Sequence, residues 1–120
     1  MFNEVLGVEV KLPERPERIV SLAENITETL FMLGVGDRVV GISVYCFRPK
    51  EAAEKPKVGG YLKVSYKKIE ELKPDLILVT SGAQRRLGLE LHKRGYNVYA
   101  VPLPISLYGI MENVLEIGAV

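Results

Sequence analysis

The single cysteine, Cys46, and the single histidine, His92, are the first places to look for catalysis in this chain of 120 residues. A thiol attacks as its thiolate and needs a base or cation at hand to form it. No activating base stands beside Cys46 in the sequence, so it reads as a small packed thiol. His92 falls within a helical stretch between charged neighbours and reads as surface. One cysteine also excludes an internal disulfide, a CxxC redox pair and a cysteine zinc site. A bare transition metal needs several His, Cys or carboxylate ligands converging, and one histidine with scattered acids supplies too few. The chain is therefore expected to have no catalytic residue, no metal ligands and no intrinsic cofactor, and any metal it binds should arrive already chelated.

Residues suited to binding are better represented. Tyr45, Phe47 and Tyr61 bring aromatic surface, while Glu24, Asn25, Thr80, Ser81 and Gln84 bring hydrogen-bonding groups. Arg85, beside Arg86, offers a planar guanidinium that could meet a carboxylate or phosphate on two bonds. Aromatic platforms with a few polar groups suit a large, flat, partly apolar ligand.

These residues share an edge if the chain folds as its pattern suggests. After an opening stretch in which Val8, Val10 and Leu12 alternate like an edge strand, strands and helices follow one another without a linker, which implies a parallel sheet. Arg18 to Leu22 reads as a strand. Asn25 and Glu28 then make a capping-box pattern before Ile26, Leu30 and Leu33, and Gly34 stops that helix. Val39 to Val44 is a second strand, followed by the loop Tyr45 to Pro49 and a short polar helix over Lys50 to Glu54. A brief third strand centres on Lys57 and Val58, and Gly59-Gly60 breaks it. Ser65 caps a helix with Ile69 and Leu72 inward, which Pro74 ends. Leu76 to Val79 is a strand buried on both faces. Leu87 and Leu91 mark a helix up to Gly95, Asn97 to Val101 is a fifth strand, and Ser106 opens a last helix with Ile110, Val114 and Ile117 inward.

The expected fold is thus an α/β, doubly wound, Rossmann-like lobe with a mainly parallel five-stranded sheet, forming one domain over residues 1–120. In such a sheet ligands sit beyond the carboxyl ends of the strands, where the named aromatic and polar residues fall. A nucleotide is disfavoured, because no GxGxxG follows the first strand and Gly34-Val35-Gly36 follows a helix. Sixteen basic and fifteen acidic residues give a net charge of +1, with no block of like charge to track a phosphate backbone, so nucleic acid is not expected as a partner. No apolar run approaches the ~20 residues needed to span a bilayer, and Met1-Phe2-Asn3-Glu4 has neither the basic nor the apolar region of an export signal.

The stretch from Arg18 through Glu24, Asn25, Thr27 and Glu28, then Leu33-Gly34, Val40-Gly41 with Tyr45, Val58-Gly59-Gly60 and Leu72-Lys73-Pro74-Asp75-Leu76-Ile77 resembles one family in order and spacing. It is similar to the helical-backbone class of solute-binding proteins of ABC importers, which bind cobalamin, ferric siderophores or haem. The resemblance runs from about Val5 to the end. It implies two lobes joined by a spine helix with the ligand between them, this chain being the amino-terminal lobe and the helix from Ser106 the start of the spine. It further implies an ABC permease as partner and an extracytoplasmic location, periplasmic or anchored at the cell surface.

By the same resemblance, Tyr45 matches a tyrosine that lies against cobalamin, and Tyr61 matches a tryptophan. Thr80 stands where another tryptophan is usual, and Glu24 replaces a frequent proline. At the position where many members carry a docking glutamate this chain has Lys67, and Glu70 or Glu71, one turn on, could substitute. One lobe alone gives a ligand one wall, which a second copy could complete as a homodimer. The alternative reading is a non-transport module that reuses the lobe for oligomerisation or sensing.

Overall fold

The run Leu76-Ile77-Leu78-Val79 has no polar side to offer water, so it is stable only as a strand covered on both faces. It forms β6 (Leu76–Thr80), and every residue of it is buried. In the computed structural model, which describes residues 2–3, 6–9, 16–44, 46, 50–60 and 62–101, β6 lies within a five-stranded sheet. Its companions are β3 (Ile19–Ser21), β4 (Val39–Ser43), β5 (Lys57–Gly59) and β7 (Val98–Val101), in the order β5-β4-β3-β6-β7. All four pairings are parallel. The helices are α1 (Glu24–Met32), α2 (Tyr66–Leu72) and α3 (Arg85–Lys93). Right-handed crossovers place α1, which steps from β3 to β4, on one face, and α2 and α3, which step the other way, on the opposite face. The doubly wound α/β lobe expected from the sequence is the one observed, and its sheet is parallel throughout.

The core follows from this layering. Ile26 and Leu30 of α1 are fully buried on one side, and Ile69 of α2 with Leu87 and Leu91 of α3 on the other. Each such side chain contributes about 1.5–3 kcal/mol by leaving water. Gly41 in β4 allows the close approach of α2, because a Cβ there would stand 2.6 Å from Leu72 Cδ1.

Two local expectations are corrected, and a third is met in part. Of the opening strand expected over Val8, Val10 and Leu12, Val8 falls in β2 (Val8–Glu9), which pairs antiparallel with β1 (Phe2–Asn3), with Gly7 at φ +70° between them; Val10 and Leu12 lie outside the described residues. The capping box at Asn25 and Glu28 does not form as such. Helix α1 starts two residues earlier, with Ala23 as its cap and no side-chain capping bond, and Asn25 Oδ1 accepts from the neighbouring Ile26 N–H at 3.0 Å. The short polar helix is a 3₁₀ turn over Ala52–Glu54. The helix read from Ser106 lies outside the described residues. Other boundaries agree with the sequence: Ser65 Oγ accepts from Lys68 N–H at 3.3 Å as the cap of α2, and Gly34 and Gly95 take positive φ just past α1 and α3.

At the amino ends of β3 and β6, Asp75 and Arg18 lock the two central strands together. The Asp75 carboxylate accepts from the backbone N–H of Glu17 at 2.9 Å and of Arg18 at 3.0 Å. In return, Asp75 N–H donates to the Arg18 carbonyl at 2.8 Å. The Arg18 guanidinium turns to the end of α2 and donates to the carbonyls of Leu72 and Lys73, where unpaired acceptors and the helix dipole favour a cation. Lys73 itself takes the left-handed conformation, φ +48°, which a non-glycine residue holds only when its surroundings impose it. Replacing Asp75 by Ala should cost about 2–4 kcal/mol, the loss of two bonds to a charged acceptor. Asp75→Asn, which keeps one acceptor, should cost about half of that in urea denaturation.

Helices α2 and α3 meet along a seam of polar contacts. Tyr66 Oη donates to Glu90 at 3.3 Å, Tyr96 Oη donates to Glu70 at 3.3 Å, and the Arg94 guanidinium lies 3.5 Å above the Tyr66 ring. Burial, the Glu70 charge and the bond to Glu70 favour the neutral phenol of Tyr96 against the pull of Arg94, so its pKa is raised above 10.0. A raised folded-state pKa contributes stability that is complete below the unfolded value and lost as pH climbs through the folded one. Between about pH 9 and 11 the chain should therefore lose stability more steeply than its Tyr96→Phe variant, as read from urea midpoints at each pH.

Candidate ligand-binding site

The carboxyl ends of the strands are where loops leave a parallel sheet in opposite directions, and here the reversal falls between β3 and β6. From β3 the chain passes to α1 on one face, and from β6 to α3 on the other, which leaves a crevice where ligands commonly enter this kind of sheet. In this molecule Gln84 fills it. The residue is fully buried; its Nε2 donates to the Leu22 carbonyl at 2.8 Å and its Oε1 accepts from Thr80 N–H at 3.0 Å. One amide thus ties the last turn of β3 to the end of β6. Gln84 was expected among ligand contacts, and the structure instead places both ends of its amide on backbone within the fold. The sequence signal was ambiguous, since a glutamine at the start of a helix reads equally well as exposed.

A second polar cluster seals the neighbouring pair, β3 and β4. Thr27 Oγ1 lies 2.8 Å from Ser21 Oγ and 3.1 Å from both the Ala23 carbonyl and Cys46 Sγ. Ser43 Oγ lies 3.3 Å from the same sulfur, which in turn reaches the Ser21 carbonyl at 3.7 Å. The thiol is 1% exposed, and its described partners are hydroxyls and a carbonyl oxygen, none of which can take its proton at neutral pH. His92 is in the last turn of α3, at the amino edge of the sheet, and cannot serve Cys46. Among the described residues no three His, Cys, Asp or Glu gather in a way that could hold a metal ion.

Above these seals two of the described residues expose large apolar side chains. Val44, at the end of β4, is 48% exposed, and Leu62, in the turn after β5, is 56% exposed. They are two of the three large apolar side chains that the described residues leave in water, and sequence reading passed over both in favour of their neighbours Tyr45 and Tyr61. Tyr45, Phe47 and Tyr61 lie outside the described residues. Glu24 is exposed and Asn25 part-buried at the start of α1, while Ser81 is part-buried and Arg85 exposed ahead of α3, so these four are on the same edge. Thr80 is at the edge but beneath it, 2% exposed, with an Oγ1 that finds no hydrogen-bond partner. Lys67, Glu70 and Glu71 are exposed on α2, with Glu70 engaged by Tyr96.

A groove of about 290 Å³ lies apart from this edge, between β5 and α2, lined by Pro56, Lys57, Val58, Lys68, Glu71 and Leu72. If Gln84 is what closes the central crevice, Gln84→Ala should destabilise the fold by about 2–3 kcal/mol in urea denaturation, because it strands the Leu22 carbonyl and the Thr80 N–H without partners.

Comparison with known proteins adds to this geometry. The sequence profile of the periplasmic binding protein family matches residues 19–120. A vitamin B12-binding protein of Vibrio parahaemolyticus is 33% identical over 101 residues, 84% of this chain and 35% of the relative. An ABC transporter substrate-binding lipoprotein of Bacillus subtilis, YvrC, is 41% identical over 77 residues, 64% of this chain and 24% of the relative. The crystal structure of the periplasmic vitamin B12-binding protein BtuF of Vibrio cholerae superimposes with a TM-score of 0.64 at 36% identity, over 73% of this chain and 35% of that one. The chain spans about a third of the length of the B12-binding relatives it matches.

Proposed function

We propose, from the premise that this chain belongs to the periplasmic binding protein family, that its carboxyl edge is one wall of a binding site for a metal chelate. A corrinoid is the first choice, with a ferric siderophore or haem as the wider class. The chelate is cargo, handed to an ABC permease outside the cytoplasm, and the chain performs no reaction on it. What carries this reading is the pairing of buried polar ties between the strand ends with exposed apolar side chains beside them. Among the described residues, Gln84 and the Cys46 cluster fill the ends of β3, β4 and β6 with polar ties, whereas Val44 and Leu62 stand in water where a broad apolar ring system would cover them. Relatives at 33% and 36% identity whose names give vitamin B12 as ligand support the corrinoid choice.

In this reading Tyr45, Phe47 and Tyr61 meet the face of the chelate, while Glu24, Asn25, Ser81 and Arg85 meet its polar rim. Thr80 acts from below, its buried hydroxyl free to turn toward an acceptor that comes down onto the edge. The residues form one lobe, and the facing wall comes from a second lobe or a second copy. Glu70, Glu71 and Lys67 on α2 are the candidates for contact with the permease.

The test is a titration of the chain with hydroxocobalamin and, separately, a ferric siderophore, reading ligand absorbance and protein mass together by size exclusion with light scattering. The corrinoid should co-migrate with the protein, and Tyr61→Ala should weaken binding about tenfold, the loss of roughly 1.4 kcal/mol from an aromatic contact. Corrinoid carried at dimer mass would assign the facing wall to a second copy. Protein that carries neither chelate at saturating concentration would overturn the reading.

A further inference from the structure

Where β3 passes into α1, the carboxyl edge carries polar groups that the fold leaves unmet. Ser21 pairs with Leu78 across the sheet and its hydroxyl lies 2.8 Å from that of Thr27 on α1, so the side of β6 bearing Leu78 and, two residues on, Thr80 faces α1. The Thr80 hydroxyl is buried there, in a residue only 2% exposed, without a hydrogen-bond partner. A buried hydroxyl left unpaired weakens a fold, and an acceptor placed on it removes that cost.

The helix end at the same level is also unmet. Leu22 N–H still donates to the Leu78 carbonyl, and counting on from the Ser21–Leu78 pair brings Ala23, the residue before α1, level with Thr80. Ala23 has no side chain that caps the helix, and Asn25 Oδ1 is turned to Ile26 N–H. The backbone N–H groups of Glu24 and Asn25 come first in α1, with no carbonyl one turn behind them, and they make no bond to another described residue. Together with the positive end of the helix dipole, they favour an acceptor oxygen.

Glu24 decides what kind of oxygen that is. Its side chain is exposed in the first turn of α1 and pairs with no cation among the described residues. The arginines of this edge are across the sheet at the start of α3, where Arg86 pairs with Glu90 at 3.6 Å. A ligand carboxylate at α1 would therefore face the Glu24 carboxylate, and like charges brought together oppose binding. A carboxamide meets both demands. Its carbonyl oxygen accepts from the free N–H groups and the Thr80 hydroxyl, while its NH2 donates to Glu24 in a charge-assisted bond.

We propose, resting on the chelate reading above, that Glu24, the amino end of α1 and Thr80 form a carboxamide subsite. Through it the lobe selects a chelate whose rim carries neutral amides, as a corrinoid's does, over one whose rim carries carboxylates. Glu24 is then the residue that sets specificity, and Thr80 the one that adds affinity without discriminating charge.

The test is equilibrium dialysis of the 120-residue chain against hydroxocobalamin and against its monocarboxylic acid derivatives, in each of which one peripheral carboxamide is hydrolysed. The chain should bind the amide form about tenfold more tightly than one or more of the acids, and Glu24→Gln, folded by circular dichroism, should narrow that gap to less than about threefold. Thr80→Val should weaken binding of the amide form about threefold with no fall in its urea midpoint, which a hydroxyl serving only the fold would not do. Equal affinity for the amide form and every acid, or a gap that survives Glu24→Gln, would overturn this inference and leave the chelate reading standing. A chain that binds neither amide nor acid would overturn the chelate reading and the inference with it.

Discussion

Parallel strands have no hairpin between them to set their register, so the pairing of β3 with β6 has to be fixed from outside the ladder. The chain fixes it at both ends. At the amino end Asp75 holds the backbone of Glu17 and Arg18 while Arg18 closes α2, and at the carboxyl end Gln84 ties Leu22 to Thr80. Between these clamps Ile19 faces Leu76 and Ser21 faces Leu78. A slip of one residue would turn every side chain of a doubly covered strand to the wrong layer. Because β4 and β5 build outward from β3, and β7 from β6, the whole order of the sheet depends on this central pair.

The same constraint shapes the candidate site. A doubly wound sheet opens where its loops part, and Gln84 closes that opening with hydrogen bonds that an apolar side chain could not make. The hydroxyls of Ser21, Thr27 and Ser43 around Cys46 do likewise one strand over. Among the described residues, the strand ends then present the exposed apolar side chains of Val44 and Leu62 above these buried polar ties.

Charge is organised by the helix seam. Tyrosines at the start of α2 and after α3 draw Glu90 and Glu70 into hydrogen bonds, and Arg94 lies over Tyr66. Glu70 is near the lysines in sequence, where an i to i+3 pair with Lys67 would have been a natural reading. The tertiary contact prevails because a tyrosine hydroxyl from the adjoining helix holds Glu70 without having to immobilise a second long charged side chain.

Much of the fold was legible in the residues themselves. The unbroken apolar run Leu76 to Val79, the glycines after α1 and α3 and the Ser65 cap identify elements through local physics, and the alternation of strand and helix identifies a parallel sheet. Aromatic and polar residues after the strands pointed to the carboxyl edge for the same reason. What local pattern could not reveal was any choice between partners distant in sequence. Gln84 finds the Leu22 carbonyl 62 residues away, and Tyr96 finds Glu70 26 residues away. Whether a glutamine is a ligand contact or a plug, or an acid free or engaged, depends on which backbone groups and side chains the fold brings within 3 Å or so. That proximity exists only once the sheet has assembled.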